Sequence, residues 1–124
     1  MKKIIIEVGG MTFTAELNKS HTAKAIWKAL PLDGQVHRWG DEIYFDIPVE
    51  HKLEADAREE VELGTLAYWP TGCTFCMFFG RTPVSFGNKP RAYSAVNVIG
   101  KIEEDSRELR SVESGVSILI KRLE

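Results

Sequence analysis

The chain has 124 residues, 44% hydrophobic and 27% charged, which excludes a disordered polymer and supplies enough apolar mass for a single domain over residues 1–124. Its net charge of −2 offers no electrostatic footprint for nucleic acid or an anionic membrane surface. No apolar run approaches the roughly 20 residues that a spanning helix needs, so no membrane partner is expected.

The chain opens with two lysines and an apolar stretch, but Glu7 and Gly9-Gly10 interrupt it too early for a secretory leader, and a cytoplasmic location is expected. Ile4, Ile6 and Val8, then Met11, Phe13, Ala15 and Leu17, alternate with mostly polar residues around Gly9-Gly10. That pattern predicts a hairpin with one apolar face, and a one-residue slip would turn that face to water. Ala23, Ile26, Trp27 and Leu30 fall at helical spacing behind the capping candidates Ser20 and Thr22, and Pro31 ends that helix.

A second hairpin follows in Val36-His37-Arg38-Trp39-Gly40-Asp41-Glu42-Ile43-Tyr44-Phe45, turning at Gly40-Asp41. A two-residue turn pairs His37 with Tyr44, Arg38 with Ile43 and Trp39 with Glu42. Val36, Arg38, Ile43 and Phe45 then share one face, and His37, Trp39, Glu42 and Tyr44 the other. Residues 48–63 are dense in charge and read as a solvated connection or a thin helix carrying Leu53, Ala57 and Val61. Residues 65–69 and 73–79 predict two strands around Pro70-Thr71-Gly72. A loop marked by Pro and Gly spans 80–94, a strand 96–102, a short helix near 106–112 with Asp105 and Glu108 at its start, and a last strand 116–120. Eight short strands and two helices predict a closed antiparallel barrel with a helix over each end.

Little recognisable chemistry is written into short motifs. Cys73-x-x-Cys76 has no second ligand pair, and His21, His37 and His51 lack ligand spacing, so no metal is expected and the thiols read as buried or half-buried. No glycine motif for a phosphate appears, and no cofactor is expected. The aromatic residues are more informative. Trp39, Tyr44, Tyr68 and Trp69, with Phe75, Met77 or Phe79 from the adjacent strand, are expected to gather on one outer surface, joined by His37 and Glu42.

Lys28-Ala29-Leu30, His37-Arg38, Phe78-Phe79 and Val98-Ile99-Gly100-Lys101 resemble cyclophilin motifs in their order. Arg38 through Phe45, Ala67-Tyr68-Trp69-Pro70 and Val96-Asn97-Val98-Ile99-Gly100 are similar, more closely, to small prokaryotic proteins called cyclophilin-like. The resemblance covers most of the chain and implies the barrel. In cyclophilins it implies prolyl isomerisation of a proline-containing peptide, with an arginine easing a rotational barrier of about 18–20 kcal/mol. Arg38 stands in that position, as the candidate catalytic residue. Its partners differ: Ile43, Tyr44 and Asp46 stand where cyclophilins carry Phe, Met and Gln, and Arg91 and Val96 stand for a tryptophan and a histidine. Two expectations follow, with oligomeric state left open. One is a binding module or non-isomerase enzyme whose aromatic cleft takes a small molecule or peptide. The alternative is a weak, atypical isomerase using Arg38.

Overall fold

A computed structural model describes residues 2–124. Strands β1 (Lys2–Val8) and β2 (Met11–Leu17) form the first hairpin, pairing Val8 with Met11, Ile6 with Phe13 and Ile4 with Ala15. Gly9 and Gly10 turn it at φ +58 and +77, the left-handed region that a tight two-residue turn asks of both central positions. The alternating apolar residues of both strands are buried as their period dictates, with Met11 beside the turn half-buried. Helix α1 (His21–Ala29) starts at Ser20, whose hydroxyl accepts from the Ala23 N–H at 3.1 Å, and stops before Leu30, which is extended ahead of Pro31.

The following strands are β3 (Leu32–Gln35), β4 (His37–Trp39), β5 (Glu42–Asp46), β6 (Arg58–Glu60), β7 (Thr65–Trp69), β8 (Thr74–Phe78) and β9 (Arg91–Ile102). A 3₁₀ helix (Ser106–Ser111) and β10 (Ser117–Arg122) complete the chain. The strand order is β3-β10-β1-β2-β9-β7-β8-β5-β4, with β6 on β9 off that path. The protein is therefore mainly β with two helices, but the closed eight-stranded barrel is not what forms. The ladder is open and the strands number ten.

Both differences have local causes. Val36 divides one extended stretch into β3, which pairs with β10, and β4, which pairs with β5. Its own N–H and C=O bond to Val116 and Gly115, so the two sheet ends meet at a point in the chain and not along a ladder. The other addition is β6, three exposed charged residues held to β9 by backbone pairing and by the Glu59–Arg91 ion pair, which no side-chain period could announce.

One side of the sheet carries the main core, where Ile4, Ile6, Phe13, Phe45, Phe75 and Ile99 meet Ile26 of α1 and Leu109 of the 3₁₀ helix. Residues 48–57 form neither helix nor strand. They are pinned: Glu54 accepts from the Thr22 N–H at 3.0 Å and from the Thr22 hydroxyl, and its own N–H donates to Asn97 Oδ1 at 2.8 Å. The Thr22 hydroxyl also holds the Glu54 carboxyl below its usual pKa. This is an anchor between loop and helix. Among the described residues, no helix is long and apolar enough to cross a membrane.

Candidate functional site

The β4–β5 hairpin takes the register its turn dictates, with His37 opposite Tyr44, Arg38 opposite Ile43 and Trp39 opposite Glu42. Gly40, at φ +59, has no room for a side chain, because a Cβ there would lie 2.7 Å from Pro83 Cδ. The loop after β8 thus packs directly on the turn, and Asp41 ties it there by donating its N–H to Arg81 O at 2.8 Å.

Beyond the hairpin, ladder pairing carries the outer face across four strands. Tyr44 lies opposite Cys76, Cys76 opposite Ala67, and Ala67 opposite Val98. Ala67, Cys76 and Phe78 form a second, smaller apolar cluster on this face with Val61, Ala92 and Val96. Over part of it opens a cavity of about 230 Å³. Trp39, Glu42 and Tyr44 line it from the hairpin, Trp69, Thr74 and Cys76 from β7 and β8, and Ala92, Tyr93 and Val96 from β9. Tyr93 stands edge-on between two tryptophans, its ring centroid 6.2 Å from Trp39 and 6.1 Å from Trp69. The Trp69 indole is fixed by donating to Ser94 Oγ at 2.7 Å.

Glu42 is the one carboxyl in this lining, and only 6% of it is exposed. Loss of hydration pushes its carboxyl up to about 7, against a hydrogen bond from the Cys76 thiol that pulls the other way. Burial likewise raises the Cys76 thiol, which makes it a weak nucleophile and a neutral neighbour. A carboxyl poised near neutrality inside an aromatic-walled cavity can take or give a proton at physiological pH.

The expected site residues divide by strand parity. Trp39, Glu42, Tyr44 and Trp69 line the cavity, and His37 stacks against Tyr44 with ring centroids 5.2 Å apart. Tyr68, Phe75, Met77 and Phe79 instead belong to the main core, fully buried on the opposite side. The physical reason is the two-residue period of a strand: Tyr68 and Trp69 are neighbours, so they cannot share a face, and Phe75 lies opposite Phe45, an inward residue. Tyr68 spends its hydroxyl on Val49 O at 2.6 Å.

Arg38 also points away from the cavity. Its Nε donates to Gly40 O, its Nη1 to Arg110 O at 3.0 Å and Val112 O at 2.8 Å, and its Nη2 to Asp41 Oδ1 at 3.0 Å. Four of the five guanidinium N–H groups are thereby occupied within the chain, and the group lies over the Phe79 ring at 4.9 Å. It ties the hairpin turn to the C-terminal end of the 3₁₀ helix.

Thr74, Cys76, Ala92, Tyr93 and Val96 are lining residues that motif reading missed. The signal lay in 91–99, a run without Gly or Pro that extends the β9 strand back to Arg91 and takes Ala92 and Tyr93 out of the loop. Elsewhere a wider groove of about 400 Å³ beside β2 is open, and its rim of Arg58, Glu62 and Lys101 is exposed.

The model of the family described as cyclophilin-like matches residues 2–121. The hypothetical protein AF2241 from Archaeoglobus fulgidus, known from a solution structure, is 39% identical, over 98% of this chain and 95% of its own, with a TM-score of 0.83. McbB, whose structure is in complex with tryptophan, is 17% identical with a TM-score of 0.66, a likeness of fold covering 96% of this chain and 44% of McbB. No curated protein matches the chain.

Proposed function

Because this chain belongs to the cyclophilin-like family, and a fold hosts many functions, we propose from its site that it is a small-molecule protein of the cytoplasm and not a prolyl isomerase. The ligand enters the cavity between Trp39, Tyr44, Trp69 and Tyr93, and Glu42 exchanges a proton with it. The observation that carries this reading is Glu42 itself, a buried carboxyl near neutrality at the wall of an aromatic cavity. Its size supports a small occupant: about 230 Å³ is just below the ~300–1,000 Å³ of clefts for drug-sized ligands. McbB, a neighbour in fold, is seen with tryptophan, which supports a small molecule in preference to a peptide.

Arg38 favours the same reading. A guanidinium that already bonds three carbonyls and a carboxylate has little left to offer the nitrogen of an X–Pro bond. The test is a fragment screen followed by amide and indole NMR. One- and two-ring fragments are expected to shift the Trp39 and Trp69 indole signals while Trp27, on α1, stays still. An X–Pro exchange assay on the same sample is expected to show no turnover. Isomerisation that disappears in Arg38→Ala would overturn the proposal, as would fragments that shift only signals outside the cavity.

A further inference from the structure

The chemistry of the cavity wall selects among small molecules. No Lys, Arg or His lines it. Arg91 on β9 is committed elsewhere, bonded to Glu59 at 2.6 Å and stacked on Phe86 at 4.3 Å, and His37 packs on Tyr44 without joining the lining. What faces the cavity is four aromatic rings, whose π-clouds are negative, and one carboxyl. An anionic ligand would meet the Glu42 carboxyl and find no charged donor. A cation would meet aromatic rings and a counter-ion within the wall, and it would offset the cost of ionising Glu42 in that place.

The donors left for a carboxylate on the ligand are neutral ones, the Trp39 indole and the Tyr44 and Tyr93 hydroxyls. The Trp69 indole N–H is spent on Ser94, and the Thr74 hydroxyl lies 3.5 Å from the Cys76 sulfur. We infer that the ligand is a small organic ammonium with an apolar or aromatic body and no carboxylate, its charged nitrogen set against Glu42 inside the cage of Trp39, Trp69 and Tyr93. This rests on the small-molecule reading of the same cavity and narrows it to one charge class. An amino acid would carry its amine to the same place but leave its carboxylate unmatched.

Three probes of one body separate the terms: 2-phenylethylamine, its neutral analogue 2-phenylethanol, and phenylalanine, which adds a carboxylate to the amine. Binding is followed at pH 8 by the Trp39 and Trp69 indole signals. The amine is expected to bind about tenfold more tightly than the alcohol, the combined effect of cation–π contact and charge pairing. Phenylalanine should bind more weakly than the amine. Glu42→Gln should abolish the preference for amine over alcohol. Tyr93→Leu, at a residue 71% exposed and so free to change without unfolding the chain, should lower amine affinity several-fold. Equal or tighter binding of the alcohol, or an amine preference that survives Glu42→Gln, would overturn the inference and leave the small-molecule reading standing. If no probe shifts either indole at millimolar concentration, the inference is overturned; if the wider fragment screen is also silent there, the cavity reading falls with it.

Discussion

Strands β5 and β8 present two faces built from one backbone. On the inner face Ile43, Phe45, Phe75 and Met77 pack into the main core with nothing polar among them. On the outer face Glu42, Tyr44 and Cys76 are covered too, yet a carboxyl and a phenol remain and a cavity opens above them. The inner face is closed by sheet and helices, so its residues are set by packing alone. The outer face is covered by Val61 and by the start of β9, which leaves space that a ligand can fill. Burial without closure is what lets Glu42 be both desolvated and reachable.

The largest expected effect lies on the inner face. Phe75→Ala should destabilise the protein by about 3–5 kcal/mol in urea unfolding, since the site is tightly enclosed and cannot collapse. A loss below about 1 kcal/mol would mean the two faces are not as different as their burial implies.

Glu42→Gln sharpens the comparison through pH. The carboxyl sits at about 7 in the folded chain against an ordinary value of 4.5, so the folded state holds the extra proton between those values. Stability therefore falls as pH rises from 4.5 through about 7 and is level above it. The full span corresponds to about 3 kcal/mol. Urea midpoints at pH 5 and pH 8 should separate for the native chain and draw together in Glu42→Gln, which should be the more stable of the two at pH 8. Parallel midpoints in both proteins would remove the desolvated carboxyl from the account.

Arg38→Ala tests whether that residue belongs to the structure or to the site. Its bonds to the carbonyls of the 3₁₀ helix and to Asp41 predict a loss of about 2 kcal/mol, with fragment binding in the cavity unchanged by NMR. The smallest effect belongs to Trp69→Phe. It removes the bond to Ser94 and should cost about 1 kcal/mol in thermal or urea unfolding, while weakening binding of 2-phenylethylamine several-fold. A stability loss with binding intact would assign Trp69 to the outer cluster alone.

The family and both hairpins were legible in the chain. Gly9-Gly10 and Gly40-Asp41 fix the turns, and each turn fixes which residues share a face, as the register of His37, Trp39, Glu42 and Tyr44 shows. One strand further on, the aromatic residues do not share a face: Tyr68 and Trp69 are adjacent on β7, and the β5–β8 register sends Phe75 and Met77 inward, where Phe79 joins them in the core. That register depends on pairing between strands some 30 residues apart, and no local turn encodes it.

Local rules therefore determined the hairpins, the helix cap at Ser20, the stop at Pro31 and the alternating core, because each depends on residues a few positions apart. Long-range pairing decided the rest. It split the 32–39 stretch at Val36 and left the sheet open, turned Arg38 into a tie for the 3₁₀ helix, and brought Tyr93 from β9 over Glu42 from β5. An ionisable residue near a turn reads as solvent-exposed in any window of sequence. Only the strands and the loop that cover Glu42 take away its water, and with it the ordinary pKa of a carboxylate.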